Sequence, residues 1–202
     1  MDDTGKNISV IIPAYNMGDW VGSAIESVAN TSVEGVEVIV VDDGSEDATP
    51  SVVRRYAEEQ TLGVDVRFYR QENQGKSNAV NRGLREAHGD YVSILDADDQ
   101  IADGGLDVLF RSRVDDEGTS YPMVVGGFEV FNRSGTFGRR IPPPVHSPER
   151  LHARFYLHWR TPFHLNACLF SRELCERAGS FDVRLRRCQD IDYSLRLLKA
   201  AN

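Results

Sequence analysis

The first half of the chain switches regularly between two hydrophobic periods. Ile8-Ser9-Val10-Ile11-Ile12 is a β-branched run that Pro13 should stop. From Trp20 to Ala29 the apolar residues Val21, Ala24, Ile25 and Val28 fall three and four apart, the spacing of one helix face. Glu37 to Val41 is strand-like again and ends in Asp42-Asp43-Gly44-Ser45. Thr49-Pro50 opens a helix through Gln60, with proline at an early position whose N–H has no helical partner. Val64 to Tyr69 alternates as a strand, and Ser77 to Ala87 carries Ala79, Val80, Leu84 and Ala87 on one helical side. Tyr91 to Leu95 is a fourth strand, followed by Asp96-Ala97-Asp98-Asp99. This order predicts an α/β fold with a parallel sheet covered by helices on both faces. Ligands on such sheets bind at the carboxyl ends of the strands. Three polar clusters fall there: Tyr15-Asn16, Asp42-Asp43 and Asp96 to Asp99.

After Asp99 the rhythm loosens. Leu106 to Val114 reads as a helix and Met123 to Phe131 as one strand. Arg133 to Ser147, rich in Gly, Arg and Pro, reads as a long loop near a site. Pro148 to Trp159 is predicted helical, Ala167 to Phe170 a strand, and Asp190 to Ala200 a last helix. No internal repeat is visible.

With 202 residues the expectation is one domain, 1–202, large enough to bury a core without disulfides or a structural metal. Hydrophobic residues at 41% and charged residues at 27% are those of an ordinary soluble protein. The net charge of −8 argues against a nucleic-acid partner held by charge. That charge is uneven: residues 1–99 hold 8 of the 23 Lys+Arg and 19 of the 31 Asp+Glu, leaving −11, and residues 100–202 carry +3. An acidic first half is suited to a cation, and the second half to an anionic partner. Cys168, Cys175 and Cys188 form no CxxC, which predicts free thiols in a reducing compartment. The start, Met1-Asp2-Asp3-Thr4, is acidic with no apolar run behind it, unlike a signal peptide. No apolar run is long enough to span a bilayer, so a membrane role would be peripheral.

Three carboxylates in four residues, Asp96, Asp98 and Asp99, repel one another, and a divalent cation removes that cost. The plainer alternative is turn and cap chemistry. Asp42-Asp43 could accept from a uracil N3–H or a ribose hydroxyl, or simply shape the turn at Gly44-Ser45. No GxGxxG follows the first strand and no GxxxxGK[ST] occurs. A bound nucleotide would therefore need a cation in place of a phosphate-binding loop. His88, His146, His152, His158 and His164 show no HxxxH or HExxH spacing and predict no zinc site. Trp159 is a core residue or a sugar-stacking platform, and His164 an acceptor-site candidate. Arg184, Arg186 and Arg187 form a solvated loop or hold a phosphate.

Ile8–Asn16 (ISVIIPAYN), Val40–Ser45 (VVDDGS), Glu72–Gly83 (ENQGKSNAVNRG), Tyr91–Asp99 (YVSILDADD) and Gly179–Asp190 (GSFDVRLRRCQD) occur in the order and spacing of family 2 glycosyltransferases, which the chain resembles from about Asn7 to Leu198. The resemblance implies the GT-A fold, a Rossmann-like mainly parallel sheet, and transfer that inverts the anomeric centre. It divides the chain into a nucleotide half, about 7–99, and an acceptor half, about 100–202. It implies a nucleotide-sugar donor, most simply a UDP-sugar, and a glycan or lipid-linked acceptor of polysaccharide or cell-envelope synthesis. It also implies a cytoplasmic setting, with work at the inner membrane face, and Mn²⁺ or Mg²⁺ as cofactor. Pro13, Ala14 and Tyr15 would line the nucleotide pocket, Asp43 would bond the uracil, and Asn73, Gly75 and Lys76 would close around base and ribose. Asp96, Asp98 and Asp99 match the DxD element, with Asp98 and Asp99 on the ribose and the metal-bound diphosphate. Asp190 falls at the general base, although at the head of a helix it is also a natural N-cap, and Asp192 could fill either role.

Two features depart from the family. Gln189 stands where an acid is usual, and the chain stops at Asn202, soon after the base, where the family continues. The expectation is a pocket open on one side. Two other readings remain: a nucleotide-binding module without catalysis, and a haloacid dehalogenase-type DxD phosphatase with Asp96 as nucleophile, although there the DxD ends the first strand.

Overall fold

A computed structural model describes residues 7–132, 135–140 and 163–201. The first half runs β1 (Ile8–Ala14), α1 (Val21–Ala29), β2 (Val36–Asp42), α2 (Thr49–Glu59), β3 (Asp65–Arg70), α3 (Lys76–Glu86) and β4 (Tyr91–Ile94). Then come α4 (Gly105–Arg111), β5 (Met123–Val125), β6 (Phe128–Asn132) and β7 (Gly135–Arg140). After a 3-10 turn at Leu165–Ala167 follow β8 (Cys168–Ser171), α5 (Arg172–Ala178) and α6 (Gln189–Ala200).

The main sheet has the order β3-β2-β1-β4-β8-β5. Strands β1 to β4 are parallel to one another, whereas β8 runs antiparallel to both β4 and β5. Alternation along buried strands separates two cores. Ile8, Val10 and Ile12 of β1 and Val36, Val38 and Val40 of β2 pack with α1, with Val53 and Tyr56 of α2 and with Leu106 of α4. Ile11, Ile39 and Val41 face the other way, onto Ala79 and Val80 of α3, Leu174 of α5 and Tyr193 and Leu197 of α6. The register pairs Ala14 with Asp42 and Ile11 with Ile94, so the carboxyl ends of β1, β2 and β4 share one edge, as the pattern required.

Pro13 does not stop β1, which continues to Ala14. Ile11 and Pro13 turn their backbone groups toward β4, and Leu95 N–H donates to Ile11 O at 2.9 Å. The pairing with β4 reaches no further than Ile94, so the N–H that proline lacks has no strand to meet.

The expected single strand 123–131 is two strands in different sheets, broken at Gly126-Gly127. A Cβ on Gly126 would stand 2.9 Å from Ala167 O, and Gly126 N–H donates to that same oxygen, so the backbones touch where the chain leaves the main sheet. Part of the expected loop 133–147 is strand β7, paired antiparallel with β6. The rest of that loop, the predicted helix 148–159, Trp159 and His146, His152 and His158 lie outside the described residues. The helix expected over 106–114 is the shorter α4. Helix α5 has no counterpart in the hydrophobic pattern; Ser171 caps it, accepting from Leu174 N–H at 3.2 Å. All three cysteines are free, as expected, with Cys168 and Cys175 buried.

At the amino edge of the sheet lies a closed polar cluster. Fully buried Glu37 accepts from Ser9 Oγ at 2.6 Å and His88 N–H at 2.8 Å, and pairs with Arg67 Nη1 at 3.1 Å. Burial alone would raise the Glu37 pKa, but these hydrogen bonds and the Arg67 charge bring it below the usual glutamate value.

Candidate active site

The loops at the carboxyl edge are tied together by short polar side chains. Ser45 Oγ accepts from Asn16 N–H at 2.8 Å, Thr49 Oγ1 from Met17 N–H at 2.7 Å, and Asp47 Oδ2 from Gly18 N–H at 2.9 Å. The turn after β2 thus fixes the loop after β1. Asn16 returns the bond, accepting from Glu46 N–H, and takes a left-handed backbone with φ 51°. Tyr15 is left 45% exposed above this edge, while Pro13 and Ala14 are buried within the sheet.

The two aspartates after β2 divide their work. Asp42 faces inward: Oδ1 accepts from Ser45 N–H at 3.0 Å and Oδ2 pairs with Arg70 Nε at 3.2 Å. Asp43 holds the loop after β3, accepting from Gln71 Nε2 and Gln74 N–H on Oδ1 and from Gly75 N–H at 2.7 Å on Oδ2. A carboxylate offers about four acceptor positions, so one on Oδ2 remains for a ligand donor. Gly44 allows this approach. Its φ is +80°, and a Cβ there would meet Asn73 N at 2.9 Å.

After β4, Asp96 binds Lys76 Nζ at 2.7 Å through Oδ1 and 2.9 Å through Oδ2. One of the three crowded carboxylates is therefore neutralised by a lysine. Asp99 accepts from Asn166 Nδ2 on Oδ2, and Asp99 N–H closes the turn onto Asp96 O at 3.0 Å. Asp98 is exposed and has no hydrogen-bond partner among the described residues. No cluster of three or more His, Cys, Asp or Glu side chains is placed to hold a metal among the described residues. Asp98 with the remaining oxygen of Asp99 fits the smaller requirement of Mg²⁺ or Mn²⁺, one or two carboxylates completed by phosphate oxygens and water.

Asp190 comes to this edge from the far end of the chain. It is the second residue of α6, preceded by Cys188 with a left-handed φ of 60° at the N-cap, so it does not cap the helix. Its carboxylate is exposed and makes no hydrogen bond among the described residues. Asp192, by contrast, is engaged by Arg196 at 2.7 Å and 3.0 Å. Gln189, the residue before Asp190, lines the same cleft as Lys76. Burial disfavours the charge of Lys76, yet Asp96 first, then Asp190 and Asp98, raise its pKa above the usual lysine value. The carboxylates of β4 and α6 thus act on one ammonium.

Two clefts sharing Asn73 open at this edge. One, of about 530 Å³, lies between Gly44 and the segment Arg70–Asn73. The other, of about 490 Å³, lies between Asn73–Ser77 and the segment carrying Val183, Leu185, Arg186 and Gln189. Sequence reasoning missed Arg70, Gln71, Gln74 and Asn166. Each acts through a contact between loops distant in the chain, and only the placement of Arg70 at the end of a strand could have hinted at its role. His164 packs its ring against Phe128, with centroids 5.2 Å apart. Arg184 is paired with Asp182 at 2.7 Å, whereas Arg186 lines the second cleft. Among the described residues no helix is long and apolar enough to cross a membrane.

The family model described as Glycosyl transferase family 2 matches residues 9–178. An uncharacterized glycosyltransferase of Rickettsia felis is 29% identical over 199 residues, covering 96% of this chain and 32% of that protein. The crystal structure of S. aureus TarS 1–349 in complex with UDP-GlcNAc has a TM-score of 0.74 at 20% identity, covering 96% of this chain and 54% of that one. Mannosyltransferase PcManGT from Pyrobaculum calidifontis, in complex with GDP-Man and Mn²⁺, has a TM-score of 0.64 at 27% identity, covering 96% and 52%. The chain spans about a third to a half of the length of these proteins.

Proposed function

The chain belongs to glycosyl transferase family 2 and has the GT-A fold, and from that premise we propose that it is an inverting glycosyltransferase taking a UDP-sugar donor. The observation that carries this reading is the cleft whose lining brings Gln189, next to Asp190 at the head of α6, together with Asn73, Gly75 and Lys76, the last bound by Asp96. A single inverting displacement needs a base on the acceptor side and charge stabilisation on the leaving-group side of one cleft. Asp190 would supply the first, and a cation held by Asp98 and Asp99 the second.

In this reading residues up to about Asp99 form the nucleotide half and the rest the acceptor half. Tyr15, over Pro13 and Ala14, offers a face to the base, and the unused position on Asp43 Oδ2 accepts from uracil N3–H. Asn73 and Gly75 close the pocket, with Lys76 held by Asp96 at its floor. Asp98 and Asp99 would hold Mn²⁺ or Mg²⁺, which when bound supplies Lewis-acid stabilisation to the diphosphate. Asp190 takes the proton of an acceptor hydroxyl as its oxygen attacks the sugar's anomeric carbon. No covalent intermediate is needed. The acceptor would be a glycan or lipid-linked glycan of polysaccharide or cell-envelope synthesis, met in the cytoplasm or at the inner membrane face. Family membership sets the phosphatase reading aside, and the DxD here follows the fourth strand and not the first.

The test pairs binding with turnover. UDP affinity is titrated with and without Mn²⁺, and hydrolysis or transfer from UDP-sugars is followed beside it. Asp190→Asn is expected to lower transfer by about 10² to 10⁴, the usual share of general-base catalysis. UDP affinity should stay near wild type and the fold be little changed, since this carboxylate caps nothing. Unchanged transfer would mean that the base lies elsewhere. UDP binding in a wild type that turns over no UDP-sugar would make the chain a binding module.

A further inference from the structure

Asn81 lies in the body of α3, within the motif Glu72–Gly83, and no step above uses it. It is 7% exposed. Its Nδ2 donates to Phe181 O at 2.9 Å, and its Oδ1 accepts from Phe181 N–H at 2.7 Å. One side chain thus satisfies both backbone groups of a residue 100 positions away and outside any helix or strand. Because Phe181 offers one donor and one acceptor, a single orientation of the amide satisfies both bonds. An aliphatic side chain could supply neither partner, and a hydroxyl would have to make both bonds from one atom.

Phe181 is gripped a second time. Its ring, 3% exposed, stacks on Tyr193 with centroids 3.9 Å apart and planes 21° apart. Tyr193 lies three residues beyond Asp190 on α6, and Arg196 of the same helix donates to Ala178 O at 2.6 Å. Helix α3, which begins at Lys76, and helix α6, which carries Asp190, therefore meet at one residue. Between that joint and α6 runs the segment 182–188, which supplies Val183, Leu185 and Arg186 to the second cleft.

We propose that Asn81 is a positioning residue: acting through the backbone of Phe181, it sets where Asp190 stands over the nucleotide cleft. The proposal rests on Asp190 being the base. Asn81 itself touches no reacting atom. Its effect belongs in turnover and not in donor affinity, because a reacting group misplaced by an ångström costs about a hundredfold in rate while the donor's own contacts are unaltered.

The experiment compares wild type with Asn81→Leu, which is close in volume and removes both bonds, and Asn81→Asp, which keeps the acceptor and loses the donor. Amide exchange is read by mass spectrometry, and UDP affinity, donor KM and kcat are measured alongside. The expected result for Asn81→Leu is faster exchange confined to about residues 179–190, protection of β1–β4 unchanged, UDP affinity within about twofold, and kcat down by at least about tenfold. Asn81→Asp should fall between the two and serves as the variant if Asn81→Leu does not fold. Unchanged protection of 179–190, or a loss of UDP affinity matching the loss of kcat, overturns the proposal. If wild type transfers nothing, the reading of Asp190 fails on its own, and the exchange pattern still decides whether Asn81 holds the segment.

Discussion

Gly83→Ala is the sharpest test of how α3 sits on the sheet. Gly83 is in the interior of the helix, where alanine is favoured over glycine by about 1 kcal/mol. Propensity alone therefore predicts a more stable protein. The packing predicts the reverse. A Cβ at Gly83 would stand 2.3 Å from Ile11 Cγ2, 3.2 Å from Cγ1 and 3.3 Å from Cβ. Carbon atoms in contact settle at about 3.5–4.0 Å, so the nearest pair is more than an ångström too close. Ile11 cannot swing away, being fully buried at the centre of the sheet and stiff at χ1. The helix must lift off β1 instead. Overpacking of this kind costs about 1–3 kcal/mol, and so severe an overlap belongs at the upper end. After the propensity gain, a net loss of about 1–2 kcal/mol remains, or about 2–8 °C in Tm for a domain of this size. Thermal and urea denaturation of the two proteins measure it directly. A Tm equal to or above wild type would show that α3 does not pack as closely as the structure has it.

Glu37→Gln removes the buried counter-charge of Arg67, which is partly exposed and keeps Glu86 at 3.7 Å, and should destabilise by about 1–3 kcal/mol at pH 7. Because the Glu37 pKa is lowered on folding, that contribution is full above the ordinary value of 4.5 and is lost as the pH falls through the lower folded value. The gap between wild type and variant should therefore narrow in acid, and a gap constant from pH 7 to pH 3 would contradict the assignment. Asp98→Ala and Asp99→Ala should each remove the Mn²⁺ dependence of UDP binding. Calorimetry with and without EDTA decides this, and a wild-type affinity indifferent to EDTA refutes the metal role of both residues.

The first half of the fold is legible in the sequence because β1 and β2 are buried on both faces and the helices on one. Burial of that kind writes its period into the chain: Val21, Ala24, Ile25 and Val28 all lie in the core where their spacing placed them. Where the reading failed, a local rule lost to a neighbouring backbone. Pro13 sits inside a strand because β4 ends short of it. The run 123–131 is divided because Gly126 must touch Ala167, about forty residues on, which no local pattern announces. Helix α5 has seven residues and starts directly at the end of β8, too short to establish a helical period of its own.

The candidate site divides along the same line. Strand ends are local features, so Asp43, Asp96, Asp98 and Asp99 could be assigned to one edge from the chain alone. What each carboxylate does there depends on its partners, and these come from elsewhere: Gln74 and Gly75 for Asp43, Lys76 for Asp96, Asn166 for Asp99. Counting three acidic residues after β4 suggested a cation to relieve their crowding. The lysine relieves one, and an asparagine occupies one oxygen of another. The charge still seeking a partner at this edge is therefore concentrated on Asp98, on the free oxygen of Asp99 and on Asp190. Two of these are adjacent in sequence and suited to one small cation. The third stands on a separate helix, next to Gln189 of the second cleft, and that helix meets α3 at Phe181. If Asp190 is the base, as proposed, separate supports would let it face an acceptor without competing for the metal, and its distance from the nucleotide would depend on the contact between the two helices.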